Sequence, residues 1–276
     1  MQNLSAIEIF GERVLLNANK ALRKHAPRLH ASIKRAFVRA QFPLPKWLRG
    51  RFFWVAPQLF GVQPTEPHVL KWIEEWLRPG DTFYDVGAHY GWMSLLACRR
   101  VGARGKVFAF EPSPPLVEFL SFNKRANGFS QLQIIPKALA AIAEREAPFY
   151  VKDGGDSFLN SLVPRLNQSL SNPPNISSIP VETTTLDAVA EETESIPTAI
   201  KIDVEGAELL VLQGGKRLLK LHRPILMVAI HPTWLSPGQT AANLFALLRS
   251  FGYQIADSKV VPFEGADFGD YLCVPE

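Results

Sequence analysis

Five short apolar runs between Thr82 and Ile230, most of them followed by a segment with helical spacing, set the strongest limit on how this chain folds. Thr82–Val86, Lys106–Phe110, Leu132–Ile135, Ala199–Asp203 and Ile225–Ile230 are each of strand length. Trp92–Val101 and Pro115–Ala126 read as helices between them. Glu66–Leu77 reads as a helix ahead of the first strand, with Val69, Ile73 and Trp76 on one stripe until Arg78-Pro79-Gly80 stops it. Alternation of this kind gives a doubly wound parallel sheet. Tyr253–Ala256 and Tyr271–Val274 are joined by a turn-rich segment without a helix, so they close the sheet as an antiparallel hairpin. The expected fold class is therefore α/β, doubly wound, with a mostly parallel seven-stranded sheet and an antiparallel edge. A hairpin is expected around Ala147–Lys152, and a loop rich in Pro, Ser and Asn from Pro164 to Pro180.

Ahead of this body the pattern differs. From Arg13 through Thr65 there is no Asp or Glu, while Lys and Arg occur eleven times. Residues 1–12 hold only Glu8 and Glu12, so residues 1–65 carry +9 and the remainder −5 of the net +4. Leu22, Ala26, Leu29, Ile33 and Ala36/Phe37 form an apolar stripe with Arg23, Lys24, Arg28, Lys34 and Arg35 largely off it, interrupted at Pro27. We read residues 1–65 as a small basic helical N-terminal lobe and residues 66–276 as a second domain. Such a stretch, here residues 13–51, suits an anionic membrane surface or an acidic substrate; a solvated lobe packed on the body is the plainer reading. No apolar run reaches the roughly 18–20 residues of a membrane span, and no signal peptide opens the chain. A cytoplasmic location, peripheral to the membrane at most, is expected, with no nucleic-acid partner. Cys98 and Cys273 have neither CxxC nor metal-ligand spacing and read as reduced thiols.

Each strand turns polar where it ends. The first runs into "DVGAHYG", with Asp85, Gly87, His89 and Gly91; the second ends at Glu111; the fifth ends at His231. The fourth runs into "KIDVEGAELL", with Lys201, Asp203, Glu205 and Glu208. Carboxylates buried without partners are costly, so these groups belong where the strands emerge, and in open α/β sheets that edge holds the ligand crevice. Side-chain alternation puts Lys201, Asp203 and Glu205 on one face if the strand runs that far, and Gly206 then begins a helix with Glu205 and Glu208 near its positive end. The glycine spacing is GxxxG rather than GxGxxG, which argues against a nicotinamide-dependent dehydrogenase. A glycine-rich turn followed by an acid at the end of the next strand can still hold a ribose through its two hydroxyls.

The segments "DVGAHYGWMSLLA", "GKVFAFEPSP", "LSFNKRAN", "TTLDAV", "IKIDVEGAELLVLQGG" and "RPILMVAIHP" follow one another in an order and spacing that resemble the FkbM family of S-adenosylmethionine-dependent methyltransferases, from about Glu66 to about Pro232. The resemblance implies a class I methyltransferase fold and transfer of a methyl group to a hydroxyl oxygen, often on a sugar or a polyketide. It places Asp85, Gly87 and Gly91 along the methionine and ribose side of the donor, Glu111 on the ribose hydroxyls and Ala138 near the adenine. The chain departs from the family pattern at two positions. His89 stands where Asn is usual, altering the contacts available to the donor. Ala229 stands where an acid usually precedes "xHP", removing that carboxylate from any mechanism here.

Three roles compete for the charged end of the fourth strand. Asp203, alone or with His231, takes the acceptor's proton; or Asp203 and Glu205 hold Mg²⁺ or a similar hard cation; or the acids serve only capping and helix-dipole duty. "DSFLNSL", Asp156–Leu162, with the loop after it, suits a lid over the acceptor. An O-methyltransferase leads. A non-catalytic, membrane-associated binding protein of the same fold and a dehydrogenase are the alternatives.

Overall fold

A computed structural model of the chain describes residues 21, 24–26, 42–59, 62, 66–152, 160–164, 176–236, 238–263 and 266–276. These fall into two units, one of residues up to Pro67 with Ser121–Phe129, the other of His68–Leu120 with Ser130–Glu276.

In the first unit the expected helical lobe is only partly in view. Ala21, Lys24 and His25 are helical, and the rest of the apolar stripe, with most of the basic stretch, lies outside the described residues. Residues 44–55 are not helical. They form an antiparallel hairpin of β1 (Leu44–Leu48) and β2 (Arg51–Val55), with Leu48 opposite Arg51. Arg49 and Gly50, both at positive φ (52° and 70°), make the two-residue turn that matches strand twist. Trp47, Phe52 and Trp54 meet edge to face along one side. Asn127 brackets the backbone of Trp54, accepting from its N–H at 2.9 Å and donating to its carbonyl at 2.7 Å. The alternating aromatic residues around "RG" carried the strand signal, which the basic charge overshadowed.

The second unit opens with α1 (Pro67–Trp76), which buries Val69, Leu70, Trp72 and Ile73. Trp76, expected on that stripe, is 39% exposed; the buried arc is centred on Trp72 instead. Next come β3 (Thr82–Val86), α2 (Trp92–Val101), β4 (Lys106–Phe110), α3 (Pro114–Asn127), whose residues from Ser121 on count with the first unit, and β5 (Leu132–Ile135). Two short pairings follow: β6 (Ala138–Leu139) with β9 (Thr183–Thr184), and β7 (Ala147–Lys152) with β8 (Ile176–Val181). Residues 176–180, expected in a loop, therefore form the return arm of the hairpin begun at Ala147. The chain continues through α4 (Leu186–Glu192), β10 (Ala199–Ile202), α5 (Glu208–Gln213), α6 (Lys216–His222), β11 (Ile225–Ile230), α7 (Ala241–Ser250), β12 (Tyr253–Phe263) and β13 (Ala266–Pro275).

The main sheet has seven strands in the order β12-β13-β11-β10-β3-β4-β5. The β11–β10–β3–β4–β5 pairings are parallel, and β13 is antiparallel to both β11 and β12. The chain reverses direction across the sheet between β3 and β10, and this is the class I methyltransferase topology the resemblance implied. Tyr84, Val86, Phe110, Ile200, Ile202, Val228 and Ile230 pack on one face against Leu186, Val211, Leu219 and Leu244. Alternation turns Asp85, Lys201 and Ala229 to the other face, where Ser94 of α2 bonds Asp85. At the carboxyl edge Gly87 (φ 77°) lies so close to β10 that a Cβ there would stand 1.9 Å from the Asp203 carbonyl oxygen. Gly87→Ala should therefore lower stability by at least about 2 kcal/mol, as steric conflict at a left-handed backbone position does. Urea denaturation followed by circular dichroism measures it; an unchanged midpoint would mean the turn gives way freely.

Candidate active site

The site is built from four strand ends. β10 stops at Ile202, one residue short of expectation, although the Asp203 N–H still donates to the Val86 carbonyl at 3.1 Å. Helix α5 begins at Glu208 rather than Gly206, because Glu205 (φ 58°) and Gly206 (φ 104°) form a left-handed turn closed by the Ala207 N–H on the Val204 carbonyl. A Cβ on Gly206 would stand 2.2 Å from the Trp234 carbonyl oxygen, so this turn sits flush on the one that follows β11. Glu205 is not glycine, yet it holds a conformation that costs a side-chain-bearing residue about 1–2 kcal/mol.

Lys201 points from the middle of β10 toward this edge. Its amine, 6% exposed as a residue, donates to the Gly87 carbonyl at 2.9 Å and lies 3.2 Å from Asp203 and 3.9 Å from Asp85. Asp85 is fully buried, directly across the β3–β10 ladder from Lys201, and accepts the Ser94 hydroxyl at 2.5 Å. Burial pushes the Asp85 carboxyl up, against the pull of Lys201 and the Ser94 bond. For Asp203 burial also acts upward, but Lys201 and His231 together outweigh it and hold the group below its ordinary value.

His231, at the end of β11, gathers the remaining acids. Its Nδ1 lies 2.9 Å from Glu208 Oε1, which also accepts the Gly206 N–H at 3.0 Å; its Nε2 lies 3.5 Å from Glu205 and 3.8 Å from Asp203. The ring stacks on Trp234, nearly parallel at 4.9 Å, and meets Phe268 at a tilt, 4.8 Å away. Burial disfavours the imidazolium, but Glu208, then Glu205 and Asp203, overcome it and raise the group to about 9. At neutral pH His231 is therefore a cation that donates from Nδ1 to Glu208 and faces Glu205 and Asp203 with Nε2. One ligand atom each from Asp203, Glu205 and His231 lie within 4.8 Å of one another, a spacing that would suit a metal ion.

On the other side of Gly87, Glu111 accepts the His89 N–H at 2.9 Å and the Ser113 N–H at 3.0 Å. Burial raises its carboxyl to about 7 despite those two donors. His89 sits at positive φ (51°), a conformation Asn and His tolerate better than most residues, which is the physical link between this residue and the Asn usual in the family. Gly91 caps α2. Ala138 packs apart from these groups, with Phe149, Val151 and Val181. Of the lid segment, Asp156–Leu159 is outside the described residues; Ser161 bridges to Tyr150 and its hydroxyl donates to the Val204 carbonyl at 3.2 Å, bringing Asn160–Pro164 to the site edge. Ser94, Trp234 and Phe268 escaped the sequence reading. Ser94 alone left a signal, as a polar residue in the apolar helix Trp92–Val101.

The sequence matches the methyltransferase FkbM domain family over residues 85–255, well over half of the chain. No curated protein matches it significantly. Among solved structures it is similar to methyltransferase FkbM from Methylobacillus flagellatus KT, at 18% identity and a TM-score of 0.46, over 75% of this chain and 51% of that one. It is also similar to a SAM-dependent methyltransferase from Aquifex aeolicus, at 14% identity and 0.41, over 76% and 89%. A tRNA methyltransferase from B. subtilis gives 13% and 0.42, over 75% and 65%. The chain spans about half the length of the first of these.

The folded His231 exceeds its ordinary value of 6.5, so the stability it lends is complete below about 6.5 and is lost as pH rises through about 9. Glu208→Gln removes the strongest of the partners that raise it. The variant should lose roughly 3 kcal/mol at pH 7, the scale of breaking a buried ion pair, and its stability should vary less between pH 6.5 and 9. Histidine NMR titration should show His231 moving back toward 6.5, and an unmoved titration would remove Glu208 as the cause.

Proposed function

Because the chain belongs to the FkbM family of S-adenosylmethionine-dependent methyltransferases, we propose that it methylates a hydroxyl oxygen of a small molecule or glycan, such as a sugar, a glycolipid or a polyketide-like acceptor. One observation carries this reading: Asp203, Glu205 and His231 converge at the carboxyl edge of the central strands, joined through Lys201 to the Gly87 turn. S-adenosylmethionine supplies an electrophilic methyl on a sulfonium. The protein has to bind it, align the acceptor and receive the acceptor's proton.

The residues present fit such a donor. Glu111, steadied by two backbone N–H groups, keeps lone pairs for the two ribose hydroxyls. Gly87 and Gly91, both at positive φ, shape the turn after β3, and Asp85 acts through Lys201, which fixes the Gly87 carbonyl. Ala138 is assigned to the adenine side by the resemblance alone. In the transfer Asp203 is the proton acceptor, since His231 is already protonated at neutral pH. Its lowered pKa is no obstacle, because a hydroxyl becomes strongly acidic as its oxygen acquires the methyl group. His231 and Glu205 set the field around Asp203 and hold the acceptor.

A divalent cation is the second reading, favoured by the way Glu208 occupies Nδ1 of His231 and leaves Nε2 toward Asp203 and Glu205. Two carboxylates and an imidazole suit Mn²⁺, Fe²⁺ or Zn²⁺ better than Mg²⁺, which prefers oxygen ligands. Held there, such an ion would lower the acceptor hydroxyl's pKa.

Asp203→Asn should cut turnover by roughly 10²–10⁴-fold while leaving S-adenosylhomocysteine affinity unchanged. Glu111→Ala should do the reverse first, weakening that affinity by at least about 1.5 kcal/mol by calorimetry. Near wild-type turnover in Asp203→Asn would make the charged strand end structural. Loss of activity in chelator, restored by Mn²⁺, would select the metal reading, and indifference to chelator would select the carboxylate alone.

We also propose a cytoplasmic location with peripheral contact between residues 13–51 and anionic lipid, on the strength of their charge; among the described residues no helix is long and apolar enough to cross a membrane. The full chain should sediment with phosphatidylserine vesicles at low salt and release as ionic strength rises, with attraction screened within about 10 Å at 0.1 M. Binding insensitive to salt would argue against it.

A further inference from the structure

The strand β12 ends the seven-stranded sheet, and among the described residues nothing pairs with its outer side. A sheet strand covered on one face buries every second residue. Here residues 254–260 are all exposed, Ile255 at 47% and Val260 at 40% among them. Its inner neighbour β13 buries Gly269, Asp270, Leu272 and Cys273 over the same length. An open edge of this kind pairs with further chains unless something forbids it.

A bulge and a lysine are the common safeguards, and β12 has both: a bulge between Ile255 and Asp257, and Lys259. The lysine does not forbid every partner, because Asp257 stands two residues before it and so on the same face. Asp257 is held in place, accepting from the Trp72 indole at 2.9 Å and from the Ser258 N–H at 2.8 Å. Lys259 forms no ion pair among the described residues. A fixed carboxylate and an unmatched ammonium on one face of an open strand make half of a charge pattern that a second copy completes.

Charge then selects one register. In two β12 strands that meet antiparallel about a two-fold axis at Ser258, Asp257 of each lies opposite Lys259 of the other. Moving the register by two sets Asp257 opposite Asp257 or Lys259 opposite Lys259, which is repulsive; moving it by one turns the partner's charged face away. The other face also matches. Tyr271, opposite Ser258, meets Phe245 of α7, and Cys273, opposite Ile255, packs on that same side, so Ile255, Ser258 and Val260 share it. In the same register Val260 of one copy stands opposite Ala256 of the other, beside the exposed Ile255.

We propose that the protein pairs with a second copy of itself along β12, antiparallel about Ser258, through two Asp257–Lys259 ion pairs that join two seven-stranded sheets into one. The contact is one strand wide and its ion pairs are exposed, so the association is of micromolar strength and weakens as salt rises.

Sedimentation velocity on the full chain, from low to high micromolar concentration, should show monomer passing into dimer. Lys259→Asp and Asp257→Lys each place like charges opposite one another and should each weaken self-association at least tenfold. Mixed in equal amounts, the two variants should associate within twofold of wild-type strength, because every carboxylate then meets an ammonium; a folding defect in either variant could not give that result. Ser258→Cys should yield a disulfide-linked dimer on oxidation, since residues opposed in an antiparallel pair lie about 5 Å apart, within disulfide reach. Ala256→Cys should not, since its two copies stand more than about 10 Å apart along the strands; the native Cys98 and Cys273 are buried. A wild type that stays monomeric throughout, charge variants that associate as the wild type does, a mixture that stays monomeric, or cross-linking of Ala256→Cys in preference to Ser258→Cys would each overturn the proposal.

Discussion

Lys201 is the group around which the site is arranged. A primary ammonium placed in the centre of a seven-stranded sheet would cost several kcal/mol if left unpaired. Its partners include the Gly87 carbonyl, Asp203 and Asp85. Each belongs to a different part of the edge, so satisfying one amine fixes the Gly87 turn, the end of β10 and the buried carboxylate of β3 relative to one another. Ser94 extends the arrangement to α2 by holding the far oxygen of Asp85. A buried charge whose partners come from separate strands makes the geometry of the edge cooperative.

A second charge centre, His231, balances the first. Lys201 and His231 are the cations, Asp203 lies between them, and Glu205 and Glu208 close the far side. The consequence is a carboxylate held ionised between two cations at the carboxyl edge of the sheet. The strain is placed at the same site: Glu205 and His89, both at positive φ, stand in the two turns that face this carboxylate and Glu111. The hydroxyl of Ser161 on the Val204 carbonyl then brings a segment of the long connection between β7 and β8 to the same edge.

Much of this was legible in the chain itself. The five apolar runs placed the parallel strands almost to the residue, because a strand buried on both faces leaves a continuous hydrophobic mark bounded by turns. Glu111, Asp203 and His231 were visible as polar residues at strand ends, where such a sheet opens, and Gly87 as the turn glycine after one. The hairpin at Leu44–Val55 was missed because a run of positive charge drew attention from aromatic alternation. The return arm Ile176–Val181 was missed because Ser and Pro describe a loop unless a distant partner supplies the hydrogen bonds.

What the sequence by itself determined is the order of elements, the class of chemistry and the identity of the charged residues, since periodicity, turn residues and polar strand ends are local properties. What only the tertiary structure decided is which of those residues face one another. That Lys201 sits across from Asp85 depends on β10 lying beside β3, a pairing between segments more than a hundred residues apart in the chain. That Glu208, near the start of a helix, meets both His231 and the Gly206 N–H depends on the left-handed turn at Glu205 and Gly206. That Asp270 stands directly across from Ala229 depends on the antiparallel register of β13. Burial and charge compensation act through space, so the partners of a buried charge are known only once the strands are in register.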